Sequence, residues 1–481
     1  MLLPRAGASS ARHVLRRASL APPRPSSLAA SSSLRHQSSA SAPAHAAAAA
    51  SPSGASWASA LARGTTLVSP RSPTSLVLPE LTSLRGSITS MLGSSHPALD
   101  RIAGYYFAAE GKHVRPLIVL LMAQAANGVA PGYERLREED RKTQGAELDA
   151  EISPTGILND VNPRRTVFAA PESENILCTQ RRLADISEMI HVASLLHDDV
   201  LDEAALRRGA PSAPAAFGNK LAVLAGDFLL GRASVALARL GNLEVVELLA
   251  TVLANLVEGE VLQLQAQQAS EDALAAAPSP SVSLDTSAFW RVTPACPEDA
   301  PSEQLFESYL HKTYLKTAAL MAKSARAAVI LGGCGKADEG EVVERRKEQT
   351  RDAAYAFGRN LGIAFQLVDD MLDFRSTSAA FGKPSGGADL RLGIATAPVL
   401  FAWQEAPAEA RMGEMVRRKF GGEGDVPKAL ALVEASQGLQ RTAKLAQHHV
   451  DLALDALAVL PHSEARDALA QLARGVLTRS K

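Results

Sequence analysis

"RRLADISEMIHVASLLHDDVLDEA" (Arg181–Ala204) decides how the rest of the chain is read. Its apolar residues fall at Ile186, Met189, Ile190, Ala193, Leu196, Val200 and Leu201. That is the three- and four-residue spacing of one helix face. The face runs into Asp198, Asp199 and Asp202, and then into Arg207 and Arg208. Clustered carboxylates repel one another, so such a run costs stability unless positive charge sits among it. About 170 residues later "AFQLVDDMLDF" (Ala364–Phe374) repeats the pattern with Asp369, Asp370 and Asp373. On a helix Asp198 and Asp202 are i and i+4 and share a face, with Asp199 about 100° round. The second cluster has the same spacing.

Neither cluster fits an EF-hand loop, which interleaves its ligands with a glycine and is not helical. Mg2+ fits better, because it takes few carboxylates, keeps waters and completes its shell with substrate phosphates. The apolar runs before each cluster bury the adjacent turns, so the carboxylates are expected to line a cleft. Basic residues supply the other half of an anion site. Arg207 and Arg208 follow the first cluster, and arginine forks match phosphate oxygens in pairs. Lys112 and Arg115 in "GKHVRP" stand three apart near a helix start, where the dipole also favours an anion. Lys316 with Thr317, and Lys383 in "GKPSGG", are further candidates. Together they outline one metal-bound and one metal-free anion site.

The surrounding chain reads as helix throughout. Of 481 residues, 46% are apolar and only 4% aromatic, a composition that favours helix over sheet. No alternating run with hairpin signals competes, and the expectation is an all-α fold, one large bundle. Residues 131–175 and 269–303 are polar and proline-broken and read as surface inserts. The net charge of −1 argues against a general nucleic-acid binder. Cys178, Cys296 and Cys334 are far apart and form no CxxC pair, so a zinc site or disulfide framework has little support. No apolar run reaches the roughly 18 residues of a bilayer span; "LIVLLMAQAA" (Leu117–Ala126) comes nearest.

Residues 1–79 contain eight arginines, no lysine and no acid. Arg-rich, Ser-rich and acid-free is the signature of an organellar leader, here mitochondrial. Removing those eight charges from the net −1 leaves a body near −9, taken as residues 80–481.

Six segments in order, "GKHVRP", "HVASLLHDDVLDEAALRRGAPS", "FGNKLAVLAGDFLL", "YLKTAALMAKS", "AFQLVDDMLDF" and "GKPSGGADLRLG", resemble the motifs of the trans-polyprenyl diphosphate synthases. The likeness is closest to the mitochondrial long-chain enzymes of ubiquinone side-chain synthesis. It implies an isoprenoid-synthase-type helical bundle with a central active-site cavity. It further implies that Asp198, Asp202 and Asp369 hold Mg2+ (three ions with substrate bound), with Asp199, Asp370, Asp373 and Lys316 also in the catalytic set. Lys112, Arg115, His191 and Arg208 match positions that bind isopentenyl diphosphate. Arg207, Lys316, Thr317, Gln366 and Lys383 match those that grip the allylic diphosphate, farnesyl or geranylgeranyl. The family also implies a homodimer or heteromer, with peripheral contact to the inner membrane suggested by the apolar product.

Product length is expected to depend on Ala193 and Ser194. A helix rises about 1.5 Å per residue, so they lie roughly 6–7.5 Å beneath Asp198. Short-chain relatives tend to carry an aromatic plug at this level; both residues here are small, which predicts a long product. Three alternatives are weaker. A geranylgeranyl-type synthase would not need this open floor. A terpene cyclase would not need Lys112, Arg115 and Arg208. A silent partner subunit would be expected to have lost one acidic cluster.

Overall fold

The computed structural model describes residues 72–108, 111–160, 162–164, 175–268, 287–290, 294–336, 340–375 and 386–479. Its principal helices are α1 (Leu78–Met91), α2 (Val114–Ala126), α3 (Cys178–Leu201), α4 (Asn219–Arg239), α5 (Leu243–Gln268), α6 (Glu303–Thr313), α7 (Ala319–Val329), α8 (Glu341–Arg375), α9 (Ala397–Glu405), α10 (Gly438–Leu457) and α11 (Glu464–Leu477). Helix α3 packs on α2 and α4, α8 packs on α7 and α10, and α2 bridges α7 and α11. The all-α expectation therefore holds, with α3 and α8 carrying the two acidic runs.

Small residues set how closely these helices approach. A side-chain carbon built on Gly358 would lie 2.6 Å from the Met321 carbonyl, and one on Gly362 would lie 2.5 Å from Ala318 Cα. The two glycines are one turn apart on α8, so its backbone rests directly against the α6–α7 segment. Between α6 and α7 the chain forms a π-turn, Tyr314–Ala318, closed by the Ala319 N–H donating to the Tyr314 carbonyl. Such turns recur at functional sites because they re-aim side chains within a helix. This one carries Lys316 and Thr317. The start of α3 is pinned by the wholly buried Gln180, which accepts from the Leu177 N–H (3.0 Å) and donates to the Ala328 carbonyl on α7 (2.9 Å).

Several expectations need correction. Helix begins at Pro73, inside the stretch assigned to the leader, and Val77 is fully buried. The folded body thus starts before residue 80; residues 1–71 lie outside the described residues. The first insert is not featureless: Tyr133–Thr143 is helical, and Asp140 accepts from the Cys178 N–H at the start of α3. The second insert is anchored by Trp290, buried and stacked on Phe306 with centroids 4.5 Å apart. A two-residue ladder also forms, β1 (Leu206–Arg207) against β2 (Ala210–Pro211). Finally, α4 is long and apolar enough by length and composition to cross a membrane. Its central Asp227 and Arg232 interrupt any continuous apolar run.

Replacing Gly358 with Val should destabilise the fold by about 3 kcal/mol, the upper end for overpacking, because the neighbours are backbone atoms that cannot rotate away. A loss of less than about 1 kcal/mol in urea unfolding would contradict the close α7–α8 contact.

Candidate active site

Between α2, α3, α6, α8 and the end of α11 lies a cavity of about 700 Å3. One wall is acidic. Asp198 at the end of α3 and Asp369 and Asp370 at the end of α8 all line it. The other three aspartates do not. Asp199 is 0% exposed and accepts hydrogen bonds from Tyr106 Oη and from the Arg207 guanidinium. Asp202 caps α3, its N–H bonded to the Asp198 carbonyl, and its charge is felt by Lys316 and Glu260. Asp373 accepts from the N–H groups of Ala388 (3.0 Å) and Asp389 (3.2 Å), holding the short helix Ala388–Arg391 against α8. In the first cluster the helical period turns Asp199, 100° from Asp198, into the packing; in the second, Asp369 and Asp370 both reach the cavity.

The basic wall is built from separate segments. Lys112, Arg115, His191 and Arg208 line the cavity together, as do Arg207, Lys316, Thr317 and Gln366. Lys383 lies outside the described residues. Arg207 and Arg208 are not on α3 but on the β1–β2 hairpin, where Arg208 (φ +54°) and Gly209 (φ +80°) occupy the two left-handed turn positions. A side-chain carbon on Gly111 would come within 3.0 Å of Arg208 Nη1, so the guanidinium lies on bare backbone beside Lys112. His113 also has positive φ and pairs through Nδ1 with Glu188 Oε1 at 3.1 Å. A left-handed non-glycine residue costs about 1–2 kcal/mol, and two of them flank this anion-facing corner.

Lys316 Nζ sits 2.5 Å from Glu260 Oε2 and donates to Gln263 Oε1 at 3.0 Å. Thr317 Oγ1 donates to Gln366 Oε1 (2.8 Å), and Gln366 Nε2 donates to Asp370 Oδ1 (2.9 Å). Tyr309 Oη donates to the other Asp370 oxygen at 2.5 Å. This chain orients Asp370 and the threonine hydroxyl as one unit.

Burial dominates the electrostatics. It pushes the carboxyls of Asp198 and Asp370 up to about 6 and that of Asp389 up to about 7, against partial relief from Lys316, Tyr309 and Lys312. Asp369 is raised by burial, with Arg479 pulling the other way. On the basic side burial lowers Lys112 and Arg115. His191 is driven well below its ordinary value by burial and then by Arg115, Arg208 and Arg207, so its imidazole is neutral at pH 7. Carboxylates short of positive charge are the donor set a divalent cation fits. Among the described residues, no three carboxylate, histidine or cysteine side chains converge on one preformed metal point. An ion that keeps waters and takes phosphate oxygens as further ligands matches that spacing.

Sequence reasoning missed Lys312, Asp389, Glu260, Gln263, Tyr309 and Arg479. Lys312 stands four residues before Lys316 and shares its helix face, a signal within reach. Asp389 lies inside a quoted segment. Glu260 and Gln263 show only a three-residue spacing, and Arg479 shows none. For chain length, Ser194 lines the cavity, but Ala193 is 0% exposed and lies off its wall. Ala193 is therefore a packing position in this structure, because its Cβ points into the bundle.

Two outcomes follow from these environments. Asp199→Ala should lower stability by about 3 kcal/mol, the low end for breaking a buried pair because Arg207 is part exposed. Thermal unfolding measures it. The pH effect has a definite sign. Asp198, Asp370 and Asp389 hold protons in the fold to higher pH than in the unfolded chain. The metal-free protein therefore loses stability as pH rises from about 4 to about 7. In EDTA, the fall in urea midpoint from pH 5 to pH 7.5 should be smaller in Asp389→Asn than in the parent.

Comparison with known proteins agrees with this geometry. The family model described as polyprenyl synthetase matches residues 161–433. The probable mitochondrial hexaprenyl pyrophosphate synthase of Yarrowia lipolytica is 46% identical over 452 residues, covering 89% of this chain and 90% of its own. The mitochondrial hexaprenyl pyrophosphate synthase of Saccharomyces cerevisiae is 44% identical, covering 89% of this chain and 95% of its own. A Caulobacter crescentus polyprenyl synthase, solved with calcium and isoprenyl diphosphate, superposes with TM-score 0.60 at 28% identity, covering 85% of this chain and 97% of that one. On the family match, the identity and the coverage, the chain belongs to the polyprenyl synthetase family.

Proposed function

We propose that this cavity condenses isopentenyl diphosphate onto an allylic diphosphate, farnesyl or geranylgeranyl, and repeats the step to make a long polyprenyl diphosphate for the ubiquinone side chain in the mitochondrion. The observation that carries this reading is the pairing of an acidic wall (Asp198, Asp369, Asp370) with a separate cationic corner (Lys112, Arg115, Arg208) across one cavity. Two diphosphates need two anion sites, and a single-substrate site would need one. Close relatives named as mitochondrial hexaprenyl synthases support the substrate class and compartment. The acid-free, Arg-rich stretch at residues 1–71 suits an organellar leader.

The chemistry breaks the allylic C–O bond, with diphosphate leaving on the electron pair. The isopentenyl double bond attacks the allylic carbon, and a proton then leaves the adjacent carbon to the departed diphosphate. Asp198 and Asp369 on the wall, with Asp202 one turn beyond Asp198, would hold Mg2+, which would supply Lewis-acid stabilisation of the leaving group; three ions with substrate bound is our reading. Lys316, Arg207, Gln366 and Lys383 bind the allylic diphosphate. Thr317 joins that set, its hydroxyl oriented by Gln366 Oε1. His191, being neutral, donates a hydrogen bond to isopentenyl diphosphate without adding repulsion to Arg115 and Arg208. Asp199 acts through Arg207, and Asp373 through the loop carrying Asp389.

Two copies of the chain pair through α4 and α5. Leu224 (54% exposed) and Val257 (64%) lead a set of apolar residues on these helices that also includes Val223, Val235 and Val261. Exposed apolar residues recurring along two long helices are what an interaction surface would use. No groove for nucleic acid is invoked.

The decisive experiment is product analysis. Protein lacking the leader, given Mg2+, labelled isopentenyl diphosphate and farnesyl diphosphate, should yield a ladder ending at a long-chain alcohol after dephosphorylation. A product stopping at the geranylgeranyl length would refute the long-chain assignment. Ser194→Phe should shorten the ladder sharply, and an unchanged distribution would remove Ser194 from length control. Asp198→Asn and Asp369→Asn should each cut turnover by at least the roughly 10²–10³-fold seen on losing one transition-state stabiliser.

A further inference from the structure

A second, smaller cavity of about 50 Å3 lies between α1, the first insert and the start of α3, and shares no residue with the first. Glu80, Ser83 and Ser87 face it from α1. They stand at i, i+3 and i+7, so one helix face presents all three. Glu80 is only 4% exposed, and its Oε1 is buried with no hydrogen-bond partner among the described residues. A buried acceptor left unmade is costly, and more so when it is charged. The two hydroxyls have already spent their protons. Ser83 Oγ donates to the Glu80 carbonyl (3.0 Å), and Ser87 Oγ donates to Asp185 Oδ2 (2.5 Å). What they offer the cavity is lone pairs. On the facing side Arg182 Nη2 donates to Asp149 Oδ1 (3.0 Å), with its Nε 3.7 Å from Asp185 Oδ2, and Arg181 Nη1 donates to Cys178 Sγ (3.3 Å). The carboxylates of Glu80, Asp149 and Asp185 outnumber the guanidiniums of Arg181 and Arg182 by one. Burial pushes the Asp185 carboxyl up to about 7 in spite of Arg182 and Ser87, which reflects the same shortage of positive charge.

We propose that this cavity binds a small primary ammonium ion, whose N–H groups donate to the Glu80 carboxylate and to the Ser83 and Ser87 hydroxyl oxygens. An ammonium group carries donors only, together with one positive charge. It therefore answers both features of the site: acceptors with no proton to give, and one uncompensated negative charge. Water would fill the space without supplying the charge. A metal ion held by acidic side chains needs them at one point, and among the described residues no three carboxylate, histidine or cysteine side chains converge in that way. An ammonium ion reaches each acceptor along a separate N–H direction instead. A cavity of this size holds a few water-sized groups, which suits methylammonium. The bound ion ties α1 and the first insert to the start of α3, the helix that carries His191 and Asp198. The site stands apart from the diphosphate cavity and does not depend on how that cavity is read.

The test is thermal unfolding of the full chain while methylammonium chloride replaces tetramethylammonium chloride at constant ionic strength. The two cations carry the same charge, and only methylammonium has N–H donors. The midpoint should rise and saturate as methylammonium increases, because a ligand that binds only the folded state stabilises it. In Glu80→Gln the midpoint without methylammonium should be no lower than the parent's, since an unpaired buried charge has been removed, and the rise should be lost. Carbon-13 line broadening of labelled methylammonium by the folded parent gives a second readout that needs no variant. It should be relieved by excess ammonium chloride and left unchanged by tetramethylammonium. A flat midpoint with no broadening in the parent leaves the cavity to water and overturns the proposal. So does a rise that persists in folded Glu80→Gln. Potassium chloride producing the same saturable rise as methylammonium would make this a metal site and overturn the ammonium assignment.

Discussion

Buried carboxylates facing one another across a cavity, with too little positive charge between them, are the constraint on which this molecule is organised. Asp198, Asp369, Asp370 and Asp389 sit where burial raises their proton affinity, and each is partly relieved by a different neighbour. Lys316, held by Glu260 and Gln263, faces Asp198. Tyr309 and Gln366 share Asp370. Arg479 takes Asp369. Each relief is specific and incomplete, which is the state expected of a site that awaits a cation. A core optimised for stability alone would replace such groups with apolar ones.

The aspartates within each cluster divide their work. Asp198 and Asp369 look into the cavity. Asp199, one residue on, is sunk against Tyr106 and Arg207, and Asp373 is spent on two backbone N–H groups. The buried pair fixes the hairpin that carries Arg208, and the capped loop fixes Asp389. Conformational strain is placed in the same spirit. His113 and Arg208 both hold left-handed backbone at the cationic corner, and the π-turn at Tyr314–Ala318 turns Lys316 and Thr317 inward. The supports lie one shell away from the reacting groups, in residues whose loss would first be felt as lost structure.

Much of this was legible in the chain itself. The apolar spacing before Asp198 and before Asp369 predicts two helices ending in acid, and both form. Lys112, Arg115, His191 and Arg208 were named from separate segments, and they meet on one wall. What misled was local reasoning about angle and edge. Ala193, five positions from Asp198, is rotated away from it and packs in the bundle, while Ser194 lies on the wall. Arg207 and Arg208 were read as following α3, yet the helix ends at Leu201 and a tight hairpin turns them back. Pro73–Leu76 was read as leader because acid-free composition and helix formation are independent properties.

Periodicity and residue chemistry are local quantities, and they were enough to establish an all-α chain with two acidic helix ends and a basic complement. Which aspartate meets the cavity, which is buried under an arginine, and that Arg479 reaches Asp369 from 110 residues away, depend on helix crossings. Those crossings are set by contacts such as Gly358 on Met321 and Gly362 on Ala318, between segments dozens of residues apart. No local pattern encodes them, because a helix face acquires its neighbours only when the bundle closes.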